Sequence, residues 1–265
     1  MTALDQLMAQ VRTENRAALI GYVPAGFPSR SGVRKIIDAF VDGGVDAIEI
    51  GFPYSDPVMD GPTIQAASVQ SLARGTSSAD VIADVAYASS KVPSVVMSYW
   101  NPIERFGVAN FAQSLSQSGA SGAITPDLTI EESDVWEKEM GDSSLNTIYV
   151  VAPSTSDARL SLVTDKCSGF IYAASLMGVT GARSDISLSA SELVSRIRRV
   201  SQKPIAVGLG VSTREQARDV GAFADGVIVG SAFVKQILEA RDEDEAAERV
   251  RVLAEQLSQG VREGR

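Results

Sequence analysis

Histidine is missing from all 265 residues, and cysteine occurs once, at Cys167. The first fact removes histidine-based triads and the usual zinc sets; the second removes an intramolecular disulfide. No apolar stretch approaches the roughly 18 residues of a membrane span. The N-terminal Met1-Thr-Ala-Leu-Asp-Gln-Leu-Met-Ala-Gln10 also lacks the basic and apolar regions of a secretory signal. A soluble, cytoplasmic chain is expected. Positive charge is scarce too: 24 Lys plus Arg stand against 33 Asp plus Glu, for a net charge of -9. That balance argues against a nucleic-acid surface and against binding to anionic membranes. Any anionic small ligand must be held locally, by backbone N–H groups and a few polar side chains. Catalysis, in turn, must rest on carboxylates, lysine, tyrosine, serine or Cys167.

The chain does have a rhythm of short apolar runs. They are Ala18–Val23, Val45–Ile50, Ser94–Ser98, Gly122–Thr125, Thr147–Val151, Gly169–Ala173, Pro204–Gly208 and Asp225–Val229. Each is nearly continuous rather than alternating, the pattern of parallel strands buried on both faces. Helix-like segments lie between them. Thr129-Ile-Glu-Glu132 and Ser212-Thr-Arg-Glu215 have capping-box spacing, and Ser29 precedes the amphipathic Val33–Val41. Eight strand–helix units in roughly 250 residues predict an α/β fold, a single (β/α)8 TIM barrel over residues 1–265 with an extra N-terminal helix. A doubly wound open sheet is the alternative, but no G-x-G-x-x-G follows the first strand. The charged tail from Arg241 to Arg265 spaces Ala247, Val250, Leu253 and Leu257 as a closing amphipathic helix.

In such barrels the chemistry sits at the C-terminal strand ends. Glu49 is at that end of the second run, and alternation puts Val45, Ala47 and Glu49 on one face with Ile48 and Ile50 on the other. The isoleucines suit the helix-packed outside, so Glu49 should point into the mouth. A structural glutamate paired to a cation is the competing reading, yet none of the eight runs contains Lys or Arg. Burial without a cation raises a carboxyl pKa, which suits a general acid or base. Gly208-Leu-Gly210 after the seventh run and Gly230-Ser231-Ala232 after the eighth lead into helices, where amides and the helix dipole can hold phosphate. The small-residue loop Ala174–Asp185 after the sixth run is read as a lid or a surface loop, and Tyr172 could reach the same cavity.

These residues resemble one family end to end, the α subunit of bacterial tryptophan synthase. The resemblance rests on Glu49 before Pro53-Tyr-Ser-Asp-Pro57 and Asp60-Gly-Pro-Thr-Ile-Gln65, on Tyr99-Trp-Asn-Pro-Ile103, on Thr125-Pro-Asp-Leu128, on Gly178-Val-Thr-Gly-Ala-Arg183, and on the two glycine turns. It implies retro-aldol cleavage of indole-3-glycerol phosphate to indole and glyceraldehyde 3-phosphate. It also implies a β subunit in an α2β2 assembly that carries pyridoxal phosphate and receives the indole, with no cofactor or metal in this chain. Glu49 would be the general acid/base, Asp60 would accept the ring N–H, and Tyr172 would lie near the reacting hydroxyl. Gly181, Gly210, Gly230 and Ser231 would hold phosphate, and Thr180 would belong to the lid and orient Asp60. Tyr22 stands where the family often has Phe in the indole pocket, with Leu209 and Ile228 as apolar walls. Pro53 and Asp56 would face the β subunit. Two departures stand out: Leu176-Met177 where many members have an arginine then a small residue, and Thr129 where proline is common. A non-catalytic activating partner, or another phosphate-binding barrel isomerase, remains the alternative; such an isomerase would usually need a Lys or His at a strand end, which the chain does not offer.

Overall fold

The computed structural model describes residues 1–174, 183–208 and 210–264, with the side chains of 183–188 outside that description. Nine strands appear among these residues: β1 (Ala18–Pro24), β2 (Ala47–Gly51), β3 (Ser94–Met97), β4 (Gly122–Ile124), β5 (Asn146–Ile148), β6 (Val150–Val151), β7 (Ile171–Ala174), β8 (Ile205–Gly208) and β9 (Gly226–Val229). All neighbours are parallel, in the order β5-β4-β3-β2-β1-β9-β8-β7-β6. The expected fifth strand is thus cut at Tyr149. Its first half pairs with β4 and its second with β7, so one continuous stretch of chain joins the two ends of the sheet and closes the barrel. At the junction Tyr172 donates its backbone N–H to Tyr149 at 3.2 Å.

Alternation along the strands separates two cores. Ile48, Ile50, Val96 and Ile171 point outward into the core between sheet and helices, to which the helix Gly32–Asp42 contributes Val33, Ile36, Ile37 and Phe40. Ala18, Ile20, Ala47, Val95, Ile124, Ile148, Phe170, Ala206 and Ile228 fill the inside. The expected N-terminal helix, Ala3–Thr13, plugs the lower end of that interior with Leu4, Met8 and Val11, each at most 1% exposed. Each such side chain contributes on the order of 2 kcal/mol of burial free energy before entropy is counted. Thr2 and Asp5 start the helix with a reciprocal capping box, and Asn146 ties both to β5.

Helix starts differ from the spacing in two places. Thr129–Glu132 closes a turn rather than a helix, with the Glu132 N–H on Thr129 O at 3.1 Å and Glu131 paired to Arg159 at 2.7 and 2.9 Å; the helix begins at Asp134. The cap expected at Ser212 is made one residue later, by Thr213 with Gln216. Ser29 accepts the N–H of Gly32 at 2.9 Å, as a start signal should, and Glu243–Glu263 forms the closing helix with Val250, Leu253 and Leu257 buried.

Below the barrel, Asp225 is 1% exposed and lies between Arg12 at 3.0 Å and Arg198 at 2.6 Å, while also accepting the N–H of Ile205 at 2.9 Å. Burial opposes its charge, but these bonds win and hold the carboxyl down at about 2. Its stabilisation is therefore present at neutral pH and fades as pH falls from the ordinary carboxylate range toward 2. Asp225→Asn should cost about 3 kcal/mol in urea unfolding at neutral pH, because it strands two partly buried cations; the difference should shrink in acid.

Candidate active site

The mouth of the barrel is a cavity of about 510 Å³ whose walls include Tyr22, Glu49, Asp60, Tyr172, Gly210, Ile228, Gly230 and Ser231. Every expected catalytic or substrate-contacting residue that is described therefore lines one space. Thr180, Gly181 and Leu209 lie outside the described residues, as do Leu176, Met177 and the rest of 175–182.

Glu49 enters this space from β2, pointing inward with Ala47 as the alternation predicts. It is 1% exposed, and its Oε2 has no hydrogen-bond partner among the described residues. Burial first, and the charge of Asp60 second, push its carboxyl up to about 8. Asp60 arrives differently. The loop after β2 folds back through a bond from Asp60 N–H to Pro57 O at 3.1 Å and ends at Gly61, the N-cap of the helix Pro62–Ala73. A proline at the first helical position suits a turn whose N–H needs no partner. Burial raises Asp60 to about 6, while a hydrogen bond from the Tyr99 side chain pulls it down. Two neighbouring carboxyl groups thus differ in acidity, the condition under which one serves as an acid and the other as an anion at the same pH.

Tyrosines frame the pair. Tyr22 sits in register with Glu49 on the adjacent strand and is 7% exposed. Burial, then the charges of Asp60 and Glu49, raise its hydroxyl well above the ordinary range; burial, then Glu49 and Asp60, do the same for Tyr172. Both are therefore neutral hydrogen-bond donors at physiological pH. Each has a glycine socket: a Cβ on Gly51 would fall 2.2 Å from the Tyr22 hydroxyl, and one on Gly208 would fall 2.6 Å from that of Tyr172. On the same cavity wall, Gly210 has φ +75°, and Gly230 and Ser231 form the N-cap and first residue of the helix Ser231–Leu238.

Pro53 and Asp56 are not in this cavity. Pro53 is buried beside a separate hollow of about 480 Å³ lined by Phe52, Tyr54, Asn101, Arg105 and Phe106, and Asp56 is exposed. Sequence reasoning gave no role to Met97, Ile64 or Tyr99. Met97 was accessible from alternation, two residues beyond the inward Val95; Ile64 and Tyr99 depend on loop closure that no local spacing encodes. Among the described residues no group of three or more Cys, Asp or Glu could hold a metal, and no helix is long and apolar enough to cross a membrane.

A closed parallel barrel with a cavity at the C-terminal ends of its strands defines a (β/α)8 barrel of the enzyme type. The family model of the tryptophan synthase alpha chain matches residues 8–262, and the chain belongs to that family. It is 49% identical over 261 residues to the tryptophan synthase alpha chain of Streptomyces coelicolor, covering 98% of this chain and 96% of that one. The Thermobifida fusca alpha chain is 49% identical over 266 residues, with 99% and 98% covered. Among solved structures, tryptophan synthase of Mycobacterium tuberculosis superposes with a TM-score of 0.91 at 44% identity, covering 98% of each chain. The alpha subunit from Legionella pneumophila gives 0.89 at 29% identity, with 98% of each chain covered. The protein is accordingly a lyase that cleaves indole-3-glycerol phosphate.

Placing a methyl group against the Tyr172 hydroxyl should disturb the site without unfolding the barrel. Gly208→Ala is expected to lower indole release about ten- to a hundredfold, with circular dichroism unchanged. Full activity would mean that the Tyr172 position is not important.

Proposed function

We propose that Glu49 is the proton-transfer group of the lyase and Asp60 its fixed anion, a reading carried by one observation: Glu49 is buried with no cation beside it among the described residues while its neighbour is the stronger acid. Near neutrality Glu49 then starts protonated and Asp60 ionised. Glu49 gives its proton to indole C3, and positive charge develops at the ring nitrogen opposite Asp60. An anion held in place in a water-poor cavity stabilises that charge without reorganisation. The C3 to side-chain bond breaks, and its electron pair returns to the ring and neutralises the nitrogen. The adjacent hydroxyl becomes an aldehyde, and its proton goes back to Glu49. One proton leaves and one returns, so the residue ends each cycle as it began.

The substrate's phosphate is assigned to Gly210 and the Gly230–Ser231 turn, where backbone amides and a helix N-terminus offer positive potential to a chain that is otherwise acidic. Ile228 and Tyr22 flank the indole, and Tyr172 meets the reacting hydroxyl. Thr180, Gly181 and Leu209 complete the set by resemblance. The indole passes to a β subunit in an α2β2 assembly, which carries the pyridoxal phosphate; the cytoplasm is the compartment. Asp56, exposed at the tip of the acid-bearing loop, and Pro53, beside the neighbouring hollow, are proposed as the partner-facing residues.

The activity should follow a bell in pH, with kcat/KM rising as Asp60 ionises near 6 and falling as Glu49 loses its proton near 8. Glu49→Gln should cut indole release by at least about a hundredfold while substrate still binds; near wild-type release would remove Glu49 from the role. Adding a β subunit should accelerate the wild-type chain, and Asp56→Ala should blunt that acceleration while leaving the unassisted rate in place.

A further inference from the structure

Tyr99 follows the C-terminal end of β3 and is 4% exposed, yet no step of the reaction as written uses it. Its position is fixed on two sides. The next residue, Trp100, donates its backbone N–H to Asp127 at 2.9 Å, tying the start of the helix Trp100–Phe106 to the loop after β4. The Tyr99 ring itself lies 5.4 Å from that of Tyr54, at the base of the acid-bearing loop. Its hydroxyl oxygen accepts the backbone N–H of Met59 at 2.8 Å. With that lone pair taken, the hydroxyl proton is free for the carboxylate of the very next residue, Asp60. The remaining bonds of residues 53–60, among the described residues, stay within the loop or run to the adjoining helix, as from Gln65 to Asp60 O. The tyrosine is thus the link from this loop to the barrel wall.

We propose that Tyr99 is the positioning residue of Asp60: it anchors the loop through the Met59 N–H and directs its own O–H at the Asp60 carboxylate as a hydrogen-bond donor, holding that group charged at the cavity wall. The inference rests on Asp60 being the anion opposite the ring nitrogen. Glu49, Tyr22, Tyr172 and Tyr99 all face Asp60, and Asp127 also faces Tyr99; none of them is a cation. Burial favours a neutral Asp60, and the Tyr99 bond opposes it. Without the hydroxyl, Asp60 should hold its proton to higher pH.

The test is the pH dependence of indole release by the full chain with its β subunit, for the wild type, Tyr99→Phe and Asp60→Asn. Tyr99→Phe should move the acidic limb to higher pH, costing about tenfold in kcat/KM at about pH 6 and much less at about pH 8, with kcat changing more than KM. A pH-independent loss, or no loss, would make Tyr99 a packing residue and overturn the inference while leaving the proton-transfer assignment standing. Should Asp60→Asn keep both its activity and its acidic limb, the assignment of Asp60 fails, and the inference fails with it.

Discussion

The site depends on a carboxyl group buried, among the described residues, without a cation. Glu49 is sealed at the end of a barrel strand with one oxygen unpartnered among the described residues, a state that costs free energy unless the group stays protonated. The fold makes this possible by keeping cations elsewhere. Arg12 and Arg198 hold Asp225, and Arg16 holds Asp46 at 2.9 Å, all at the N-terminal ends of the strands. No described residue lining the mouth is a lysine or arginine. The same fold therefore depresses one buried acid to about 2 and raises another to about 8. What separates them is only the end of the barrel on which each lies.

With no lysine or arginine among the described residues of the mouth, holding the anionic substrate is proposed to fall to the glycine turns after β8 and β9. Glycines at Gly51 and Gly208 make room for the two tyrosine hydroxyls beside the acids. Closing the barrel through a single stretch around Tyr149 completes the rigid frame on which these placements depend.

Much of this was legible in the sequence, for identifiable reasons. Continuous apolar runs located the strands because parallel barrel strands are buried on both faces. Alternation put Glu49 inside because a strand's period is two, and glycine turns marked the proposed phosphate end. Other features depended on contacts between distant segments. The break at Tyr149 is set by which neighbour each half meets, and the bond from Met59 to Tyr99 by loop closure across 40 residues. The place of Asp60 came from family resemblance rather than from spacing, since a loop aspartate by itself looks like a turn former.

The central claim is that the two neighbouring acids carry opposite protonation states at neutral pH. Carbon-13 titration of the Glu49 and Asp60 carboxyl groups in the free chain, assigned with Glu49→Gln and Asp60→Asn, addresses it directly. The account predicts two steps, the lower near 6 belonging to Asp60 and the upper near 8 to Glu49. Both groups ionising in the ordinary carboxylate range, or the two steps in reverse order, would contradict it.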